Sequence, residues 1–167
     1  MKYIKKKFTT PLRPWDRQRL DVERLILVEY GLRNKKELWK TDETLKKYRR
    51  LAREFIAKPD MQKNKMVVER LVRMGVLEEG ASIDDILALK TQKFLERRLQ
   101  TIVKAKGIAN SIKEARQLIV HGKIKVGERR VVYPSYMVPR EEEDQISLFN
   151  RAKIRVEKNV EDKATEA

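Results

Sequence analysis

The spacing of apolar residues changes at Gly122, and this change limits the possible folds more than any other feature of the chain. From Asp16 to Gly122, apolar side chains recur every three or four residues, as they do in amphipathic helices. From Lys123 to Val126, polar and apolar residues alternate, which is typical of a half-buried strand. We therefore predict an α+β fold, in which a helical N-terminal part is followed by two helices and a small antiparallel sheet.

Capping and breaking residues define the predicted helices of the first half. A first helix begins at Asp16 and ends at Gly31. Its apolar positions are Leu20, Leu25, Leu27 and Val28. A second helix opens at Asn34, which forms a capping-box pattern with Glu37, and ends at Pro59. Its apolar positions are Leu38, Leu45, Tyr48, Leu51, Phe55 and Ile56.

Three further helical segments follow before the period changes. Asp60 caps a third helix that stops at Gly75, and Ser82 or Asp84 opens a short turn. Thr91 then caps one continuous helix that ends near Gly107. Its apolar positions are Phe94, Leu95, Leu99, Ile102 and Val103.

The last predicted helix leads directly into the sheet. Ser111 and Glu114 form a capping box that opens this helix, which ends at Gly122. The pair Gly127-Glu128 then suits a tight turn with glycine at its first central position. The returning and later strands are predicted at 129–132, 136–138 and 145–149.

These elements suggest four segments. We predict a basic extended arm at 1–15, a helical N-terminal domain at 16–90, a second folded domain at 91–149 and a flexible charged tail at 150–167. No run approaches the ~20 apolar residues of a membrane-spanning helix, and no apolar run follows the basic N-terminus as in a secretory signal. The chain has no cysteine, which excludes disulfides and cysteine-ligated zinc and favours the cytosol.

The charge of the chain indicates a polyanionic partner. Its 40 Lys and Arg against 25 Asp and Glu give a net charge of +15, which repels itself in a compact fold. Residues 1–58 carry a net +10 and residues 91–140 a net +9, whereas 59–90 carry −1 and 141–167 carry −3. Nucleic acid is the commonest partner of such a surplus, because each neutralised phosphate releases a counterion. Two basic blocks suggest two surfaces that meet one long polyanion.

One helix face is the leading candidate for contact. Lys113, Arg116, Gln117 and Val120 stand at positions i, i+3, i+4 and i+7, so they line up on the outer side of the last helix. Lys and Arg at these positions suit phosphates, and Gln suits a sugar or base edge. We expect this face to continue into the strands through Lys123, Lys125 and Arg129.

Several residues permit two interpretations. Trp15 and Trp39 could stack on bases, but packing on a neighbouring helix is favoured. His121, the only histidine, either caps carbonyls or touches a phosphate, and without partners it forms neither a metal site nor a triad. Tyr136 is better explained as a turn anchor than as a platform for a base. The acids at 141–144 are better explained as a solvated turn than as a cation site.

Several runs of the chain resemble a known protein family. Leu95-Glu96-Arg97-Arg98-Leu99, the run from Ala115 to Gly122, and Pro134-Ser135-Tyr136 resemble the RNA-binding domain named for ribosomal protein S-four. That domain also occurs in pseudouridine synthases, tyrosyl-tRNA synthetases and a heat-shock protein. Thr10-Pro11, Pro14-Trp15 and the run from Gly31 to Trp39 are similar to the archaeal and eukaryotic branch of the S-four family of small-subunit ribosomal proteins. The resemblance covers nearly all of residues 3–149.

The resemblance implies a structural, non-catalytic role in the ribosome, with residues 91–149 as the S-four-type RNA-binding domain. Family members bind a multi-helix junction in the 5′ domain of small-subunit ribosomal RNA early in assembly. With neighbouring ribosomal proteins, they line the channel through which messenger RNA enters. The resemblance thus implies these partners and a cytoplasmic location, with no cofactor, membrane or small-molecule substrate. Gly127-Glu128 replaces the usual Asn-Gly, which puts contacts at the turn in doubt, and no zinc-binding cysteines are present.

The candidate RNA-binding residues combine the basic blocks with this resemblance. The run at residues 46–50 would be a solvated face in most proteins, but the surrounding charge favours RNA. The alternative for Arg97 and Arg98 is local ion pairing. The full set is Lys5, Lys6, Lys7, Arg13, Lys35, Lys36, Lys46, Lys47, Arg49, Arg50, Arg53, Arg97, Arg98, Lys104, Lys106, Lys113, Arg116, Gln117, His121, Lys123, Lys125 and Arg129.

Three other functions were weighed. An enzyme would require a catalytic domain, but the N-terminal part lacks a phosphate-binding glycine loop and an acid–base pair in an apolar setting. A non-ribosomal RNA-binding module, such as a stress factor on stalled ribosomal particles, would lack the match from Thr10 to Trp39. A DNA-binding protein could share a basic second helix, but the hairpin after it argues against a helix-turn-helix.

Overall fold

The computed structural model describes residues 6–58 and 61–149. Within these ranges, eight helices and three short strands confirm the predicted α+β class. The helices precede the sheet, apart from one short helix just before the last strand. In chain order the elements are α1 (Arg17–Glu29), α2 (Lys35–Ala57), α3 (Met61–Arg73), α4 (Ile83–Ala88), α5 (Thr91–Glu96), α6 (Leu99–Ala105), α7 (Ile112–Val120), β1 (Ile124–Val126), β2 (Arg129–Arg130), α8 (Arg140–Glu143) and β3 (Ile146–Leu148).

Helix α1 has its predicted ends but a different buried face. The Asp16 side chain accepts a hydrogen bond from the Arg19 backbone N–H, and Gly31 ends the helix with a φ of +56°. Leu25 and Val28, predicted to be on the apolar face, are 71% and 77% exposed. Leu20 and Leu27, predicted on the same face, are half-buried, and the helix also turns Glu23, Ile26 and Tyr30 inward. The reason is that the Glu23 carboxylate binds α2, through the Trp39 indole N–H at 3.1 Å and the Lys35 ammonium at 3.1 Å.

Helix α2 begins where predicted, but its predicted capping box is wrong. The side chain of Asn34 makes no capping hydrogen bond, and the only bond between the pair joins the Glu37 N–H to the Asn34 carbonyl at 3.0 Å. The Glu37 carboxylate turns away from the helix end and binds arginines of the second half. The helix ends at Ala57, and the predicted stop at Pro59 and cap at Asp60 lie outside the described residues.

The helical half packs around one apolar cluster. Leu45 and Ala52 of α2 meet Leu71 of α3, Ile86 of α4 and Phe94 of α5, and all five are buried. Ser82 opens α4 with a capping box in which the Asp85 carboxylate accepts from the Ser82 N–H at 2.7 Å. Phe94 belongs to this cluster although it lies beyond the predicted boundary at residue 90. The division at this residue stays a prediction.

The single helix predicted from Thr91 to Gly107 is two helices. α5 and α6 are separated at Arg97 and Arg98, where the backbone turns outward to another segment. The Leu99 N–H donates to the Tyr136 carbonyl at 2.8 Å, and the Val138 N–H donates to the Arg97 carbonyl at 3.0 Å. Residues 136–138, predicted as a strand of the sheet, therefore pair with this break and not with β1.

The second half has its own core, built as its period predicts. Leu99 and Val103 of α6 pack with Ala115 and Ile119 of α7 against Ile124 of β1, and all are buried. The sheet is antiparallel in the order β2-β1-β3. Its hairpin closes through the predicted two-residue turn, whose glycine has a φ of +59°. β2 spans two residues, so the predicted return strand is shorter than expected.

The acidic run at 141–144 forms part of a short helix, α8, where an isolated solvated turn was expected. Its carboxylates bind side chains from other parts of the second half. The Tyr136 hydroxyl donates to Glu142 at 2.6 Å, and Arg97 pairs with Glu143 at 2.7 Å. The hydrogen bond to Glu142, together with burial, raises the pKa of Tyr136 above its ordinary value. Tyr136 is thus an anchor of this turn, as predicted.

Gly31→Ala is expected to destabilise the protein far more than Gly107→Ala. Both glycines have a positive φ, so each substitution strains the backbone by about 1–2 kcal/mol. At residue 31 an added Cβ also overlaps the side chain of Ile112, whereas at residue 107 it meets open space. Urea unfolding should therefore show a loss for Gly31→Ala about twice that for Gly107→Ala or larger. Equal losses would contradict the close packing of α1 on α7.

Candidate nucleic-acid interface

One carboxylate joins the two halves of the molecule. Glu37 on α2 accepts hydrogen bonds from Arg98, at the break between α5 and α6, and from Arg116 on α7 at 2.8 Å. Arg116 also donates to the side-chain oxygen of Gln100 at 3.2 Å, and the Gln100 amide donates to the carbonyl of Tyr30. This network links α1, α2, α6 and α7. We call it the Glu37 hub.

The side chains of the Glu37 hub stay ionised because each charged group contacts a group of opposite charge. Arg98 is only 5% exposed, so its guanidinium has little water around it and depends on Glu37. Burial alone would raise the pKa of the Glu37 carboxyl. The hydrogen bonds and charges of Arg116 and Arg98 outweigh burial and hold that pKa below its ordinary value. Glu37 is therefore ionised at neutral pH, and it fixes the position of α7 relative to α2.

A groove runs between the end of α1 and the outer face of α7. It has a cavity volume of about 530 Å³. We call it the α7 groove. Its α1 side is formed by Leu27, Val28, Gly31, Leu32 and Arg33, and its α7 side by Lys113, Arg116, Gln117, Val120 and His121. The helix face predicted from the spacing of residues 113–120 thus forms one wall of a recess that carries both cations and apolar side chains.

A second groove lies where the arm crosses α2. The Thr9 hydroxyl donates to the Glu43 carboxylate at 3.1 Å, and the Phe8 ring packs on Trp39 with centroids 6.0 Å apart. These contacts bring the arm beside the cations of the first basic block. The groove, called here the α2 groove, has a volume of about 550 Å³ and is lined by Lys7, Glu43, Thr44, Lys46, Lys47 and Arg50.

A central cleft of about 510 Å³ adjoins both grooves. Its α2 wall includes Glu37, Lys40, Thr41, Thr44 and Tyr48, and Pro134, Ser135 and Met137 close the other side. Arg116 lines both this cleft and the α7 groove, while Thr44 lines both this cleft and the α2 groove. The three recesses therefore adjoin one another across both halves, and each is lined in part by basic side chains. Together they are called the track.

Most of the predicted RNA-binding residues keep their side chains at the surface. Lys5 lies outside the described residues. The exposed ones are Lys6, Lys7, Arg13, Lys36, Lys46, Lys47, Arg50, Arg53, Lys104, Lys113, Gln117, His121, Lys123 and Arg129, and Lys125 is half-buried. The lining of the track includes Lys7, Lys46, Lys47, Arg50, Lys113, Gln117 and His121 from this group.

Other predicted cations are engaged within the fold. Lys35 pairs with Glu23, Arg49 donates to the Leu89 carbonyl, and Lys106 pairs with Asp144 at 3.3 Å. Arg116 belongs to the Glu37 hub while it also lines the track. These side chains hold elements together, so their positive charge is partly offset before any ligand arrives.

The placement of Arg97 and Arg98 corrects the prediction for this pair. Arg98 is buried against Glu37, so it presents no surface to RNA. Arg97 pairs with Glu143 and donates to the Val138 carbonyl at 2.9 Å. Both arginines form ion pairs, but the partners are distant in sequence and the guanidinium groups are largely buried, so the alternative of local pairing on a solvated surface does not describe them. The physical reason is the helix break, which turns both guanidinium groups toward carboxylates in the other half and in α8.

The β1–β2 hairpin adds a cation that the sequence analysis missed. Arg130 donates to the carbonyls of Gly122 and His121 at 2.9 and 3.1 Å, and its guanidinium lies 5.7 Å from the Phe149 ring centroid. This arginine, and not the His121 side chain, satisfies the carbonyls at the end of α7. On β1, Lys125 sits between the buried Ile124 and Val126, so it points away from the core.

The two tryptophans have different surroundings. Trp39 contacts the neighbouring helix α1 through its N–H, which donates to Glu23, whereas its ring packs on Phe8 of the arm. Trp15 is 89% exposed, so its predicted packing on a neighbouring helix is wrong. The turn before α1 carries the indole outward.

Glu37, Gln100 and Glu23 are the structural residues that sequence reasoning missed. Their partners are distant in sequence, since Glu37 binds residues 61 and 79 positions away. A glutamate in the first turn of a helix is also a normal capping residue, so no local signal distinguished this role. Burial raises the pKa of the Glu23 carboxyl, but the hydrogen bonds from Trp39, Lys35 and Arg19 outweigh it and leave that pKa lowered.

Residues 6–58 and 61–149 contain neither a membrane-spanning helix nor a cluster of metal ligands. No helix there is long and apolar enough to cross a membrane. No group of three or more His, Asp or Glu side chains in these ranges is arranged to hold a metal ion.

Comparison with known proteins gives consistent matches. The family described as S4 domain matches residues 97–146. The chain is 46% identical over 158 residues to small ribosomal subunit protein uS4 of Korarchaeum cryptofilum, covering 93% of this chain and 95% of that protein. It is 45% identical to the protein of that name from Sulfurisphaera tokodaii, covering 89% and 86%. For Methanoregula boonei the identity is 47%, covering 88% and 84%.

Glu37→Gln is expected to lower the unfolding free energy at pH 7 by about 3 kcal/mol, because it leaves the buried Arg98 without a counterion. Since the folded pKa of Glu37 is lowered, its contribution is present above the ordinary carboxyl pKa of ~4.3 and is lost as pH falls through the lower folded value. Urea unfolding from pH 7 to pH 3 should show a weaker pH dependence in the variant. Glu23 titrates in the same direction, so part of the dependence remains.

Glu54→Gln is the matched control for that measurement. Glu54 also lies on α2, but its side chain is exposed. We expect its replacement to change the unfolding free energy by less than about 0.5 kcal/mol. If the two variants had equal stability and the same pH dependence, the Glu37 hub would not hold the two halves together.

Proposed function

Because this chain belongs to the uS4 family of small ribosomal subunit proteins, we propose that it is a structural, non-catalytic component of the small ribosomal subunit that binds its RNA. The match spans nearly the whole chain and includes the helical half as well as the S4 domain. Similarity to a stress factor or an enzyme that carries only the second domain would not extend over the helical half. The relatives' shared name is that of a ribosomal protein.

The observation that carries the proposal is the track, a row of adjoining recesses with basic side chains that extends over both halves. RNA helices present phosphates and 2′-hydroxyls on their outside, and their deep major groove is closed to side chains. A protein that binds folded RNA therefore needs cations spread over a wide surface. The α7 groove supplies Lys113, Gln117 and His121, and the α2 groove supplies Lys46 and Lys47.

The rigidity of the surface supports a folded RNA as the ligand. The Glu37 hub fixes α2 against α7, so the cations at the two ends of the track stand at a set spacing. A flexible single strand would not require a set spacing, but a junction of several helices has phosphates at fixed positions. Specificity then comes from the combined geometry of many phosphate contacts, each of which carries little sequence information.

The finer proposal follows the family resemblance. We propose that the RNA is a multi-helix junction in the 5′ domain of small-subunit ribosomal RNA and that binding helps to nucleate assembly. Neighbouring small-subunit proteins and messenger RNA near its channel are the other proposed partners, and the ribosome in the cytoplasm is the proposed location. The S4 domain match at 97–146 contains α6, α7 and the hairpin, which form the second basic surface.

Lys46→Ala and Lys113→Ala are expected to weaken binding to the same RNA molecule. The probe is a labelled fragment of the 5′-domain junction of small-subunit ribosomal RNA, titrated at several salt concentrations with transfer RNA as competitor. Each substitution should lower the slope of log affinity against log salt by about 1, since each removes about one phosphate contact. The two effects should add in the double variant, because the grooves lie at opposite ends of the track.

Lys65→Ala is the control, since it removes a lysine of α3 that lines no part of the track. It should leave affinity and slope nearly unchanged. Arg116 is not a suitable probe, because its loss also disturbs the Glu37 hub. If wild-type protein bound the junction and transfer RNA equally, or if Lys65→Ala acted as strongly as the track variants, charge alone would explain the binding. Tighter binding to duplex DNA at matched salt would favour the DNA-binding alternative.

A further inference from the structure

The indole of Trp15 is exposed on a segment whose backbone is held by hydrogen bonds. Its exposed fraction is 89%, and the preceding Leu12 is fully exposed. Large apolar side chains in this position lose the free energy that burial would give them, so a surface Trp often marks an interaction site. Trp15 lies outside the lining of the track, and the function proposed above does not use it.

The backbone on both sides of Trp15 is held by hydrogen bonds. The Arg19 guanidinium donates to the carbonyl of Arg13 at 2.9 Å and to that of Pro14 at 3.0 Å. On the other side, the Asp16 side chain accepts from the Arg19 N–H and caps α1. Arg19 is itself held by Glu23 at 2.6 Å. The turn that carries the indole is therefore attached to α1, and binding through it costs little conformational entropy.

The charge around this turn favours RNA as the occupant. Residues 6–19 contain Lys6, Lys7, Arg13, Arg17 and Arg19 and a single acid, Asp16. Arg13 and Arg17 flank the indole in sequence, and both are exposed. An aromatic face with cations beside it is the combination that binds unpaired bases, because the ring stacks on the base and the cations meet the adjoining phosphates.

We propose that Trp15 is a stacking platform for one unpaired base of the bound RNA, with Arg13 and Arg17 placed for the phosphates on either side of that base. This inference rests on the proposed RNA-binding function and adds a contact outside the track. An apolar patch of a neighbouring protein is the competing occupant. The basic flanks disfavour it, and the experiment separates the two.

The first experiment uses the fluorescence of Trp15. Trp39→Phe leaves Trp15 as the only tryptophan, and a phenyl ring keeps the contact with Phe8. Urea unfolding establishes that this variant is folded. Titration with the 5′-domain RNA fragment should quench Trp15 emission and protect it from acrylamide, with saturation at one RNA per protein. A protein partner would instead shift the emission to the blue when small-subunit proteins are added without RNA, and that result would overturn the proposal.

The second experiment needs no change at Trp39. Trp15→Phe keeps an aromatic face, whereas Trp15→Leu keeps apolar surface without a ring. Affinity for the RNA fragment should fall by less than about threefold for Trp15→Phe and by about tenfold or more for Trp15→Leu, as expected for the loss of one stacked base. Since Trp15 is exposed, neither change should alter stability. Val22→Ala, at another exposed apolar position, is the control and should leave affinity unchanged.

The outcomes separate this inference from the function on which it rests. If wild-type protein binds the fragment tightly while Trp15 emission is unchanged and Trp15→Leu binds normally, RNA binding stands and the stacking proposal is overturned. If no variant and no wild-type protein binds the fragment in preference to transfer RNA, the proposed function fails and this inference fails with it. Quenching together with the Phe–Leu difference supports both.

Discussion

The ion pair between the buried Arg98 and Glu37 is the interaction on which the relative position of the two halves depends. Arg98 interrupts what would otherwise be one helix from α5 to α6, and its guanidinium is enclosed at that break. The carboxylate comes from Glu37, at the start of a helix in the other half, and Arg116 of α7 binds the same group. Because a lone charge in this position is costly, the two halves are held in one relative orientation. That orientation places the three recesses of the track next to one another.

The acidic side chains of this basic protein also stabilise its fold. Among the described residues, Glu23, Glu37 and Glu143 bind cations inside the fold or between its halves. Glu23 and Glu143 lie outside the lining of the track, whereas Glu37 lines its central cleft and faces Arg98 and Arg116 there. The positive surplus of the chain is consequently concentrated on the outside, where repulsion between lysines is screened by water and salt until a polyanion replaces the counterions. The same arrangement reconciles a net charge of +15 with a compact core.

Local signals predicted much of the fold, and distant contacts explain what they left out. The change of period at Gly122, the Ser111 cap and the turn at Gly127 each depend on neighbouring residues, and the structure confirms all three. The break at Arg97–Arg98 and the rotation of α1 depend on partners elsewhere in the chain, so no window of sequence contains their cause. The candidate site divides similarly. Exposed lysines were correctly expected at the surface, whereas the inward arginines required knowledge of which carboxylate each would meet.

The pairing of residues 97–99 with 136–138 has a consequence for the order in which a growing chain can fold. The Arg97 carbonyl and the Leu99 N–H find their partners at Val138 and Tyr136. About forty residues must therefore leave the peptide tunnel after α5 before this junction can close. Until then the backbone at the break that carries Arg98 lacks these hydrogen bonds. The contact that aligns α7 with α2 cannot be completed. The helices of the first half can form during translation, but the binding surface is assembled only after residues 136–138 have left the tunnel.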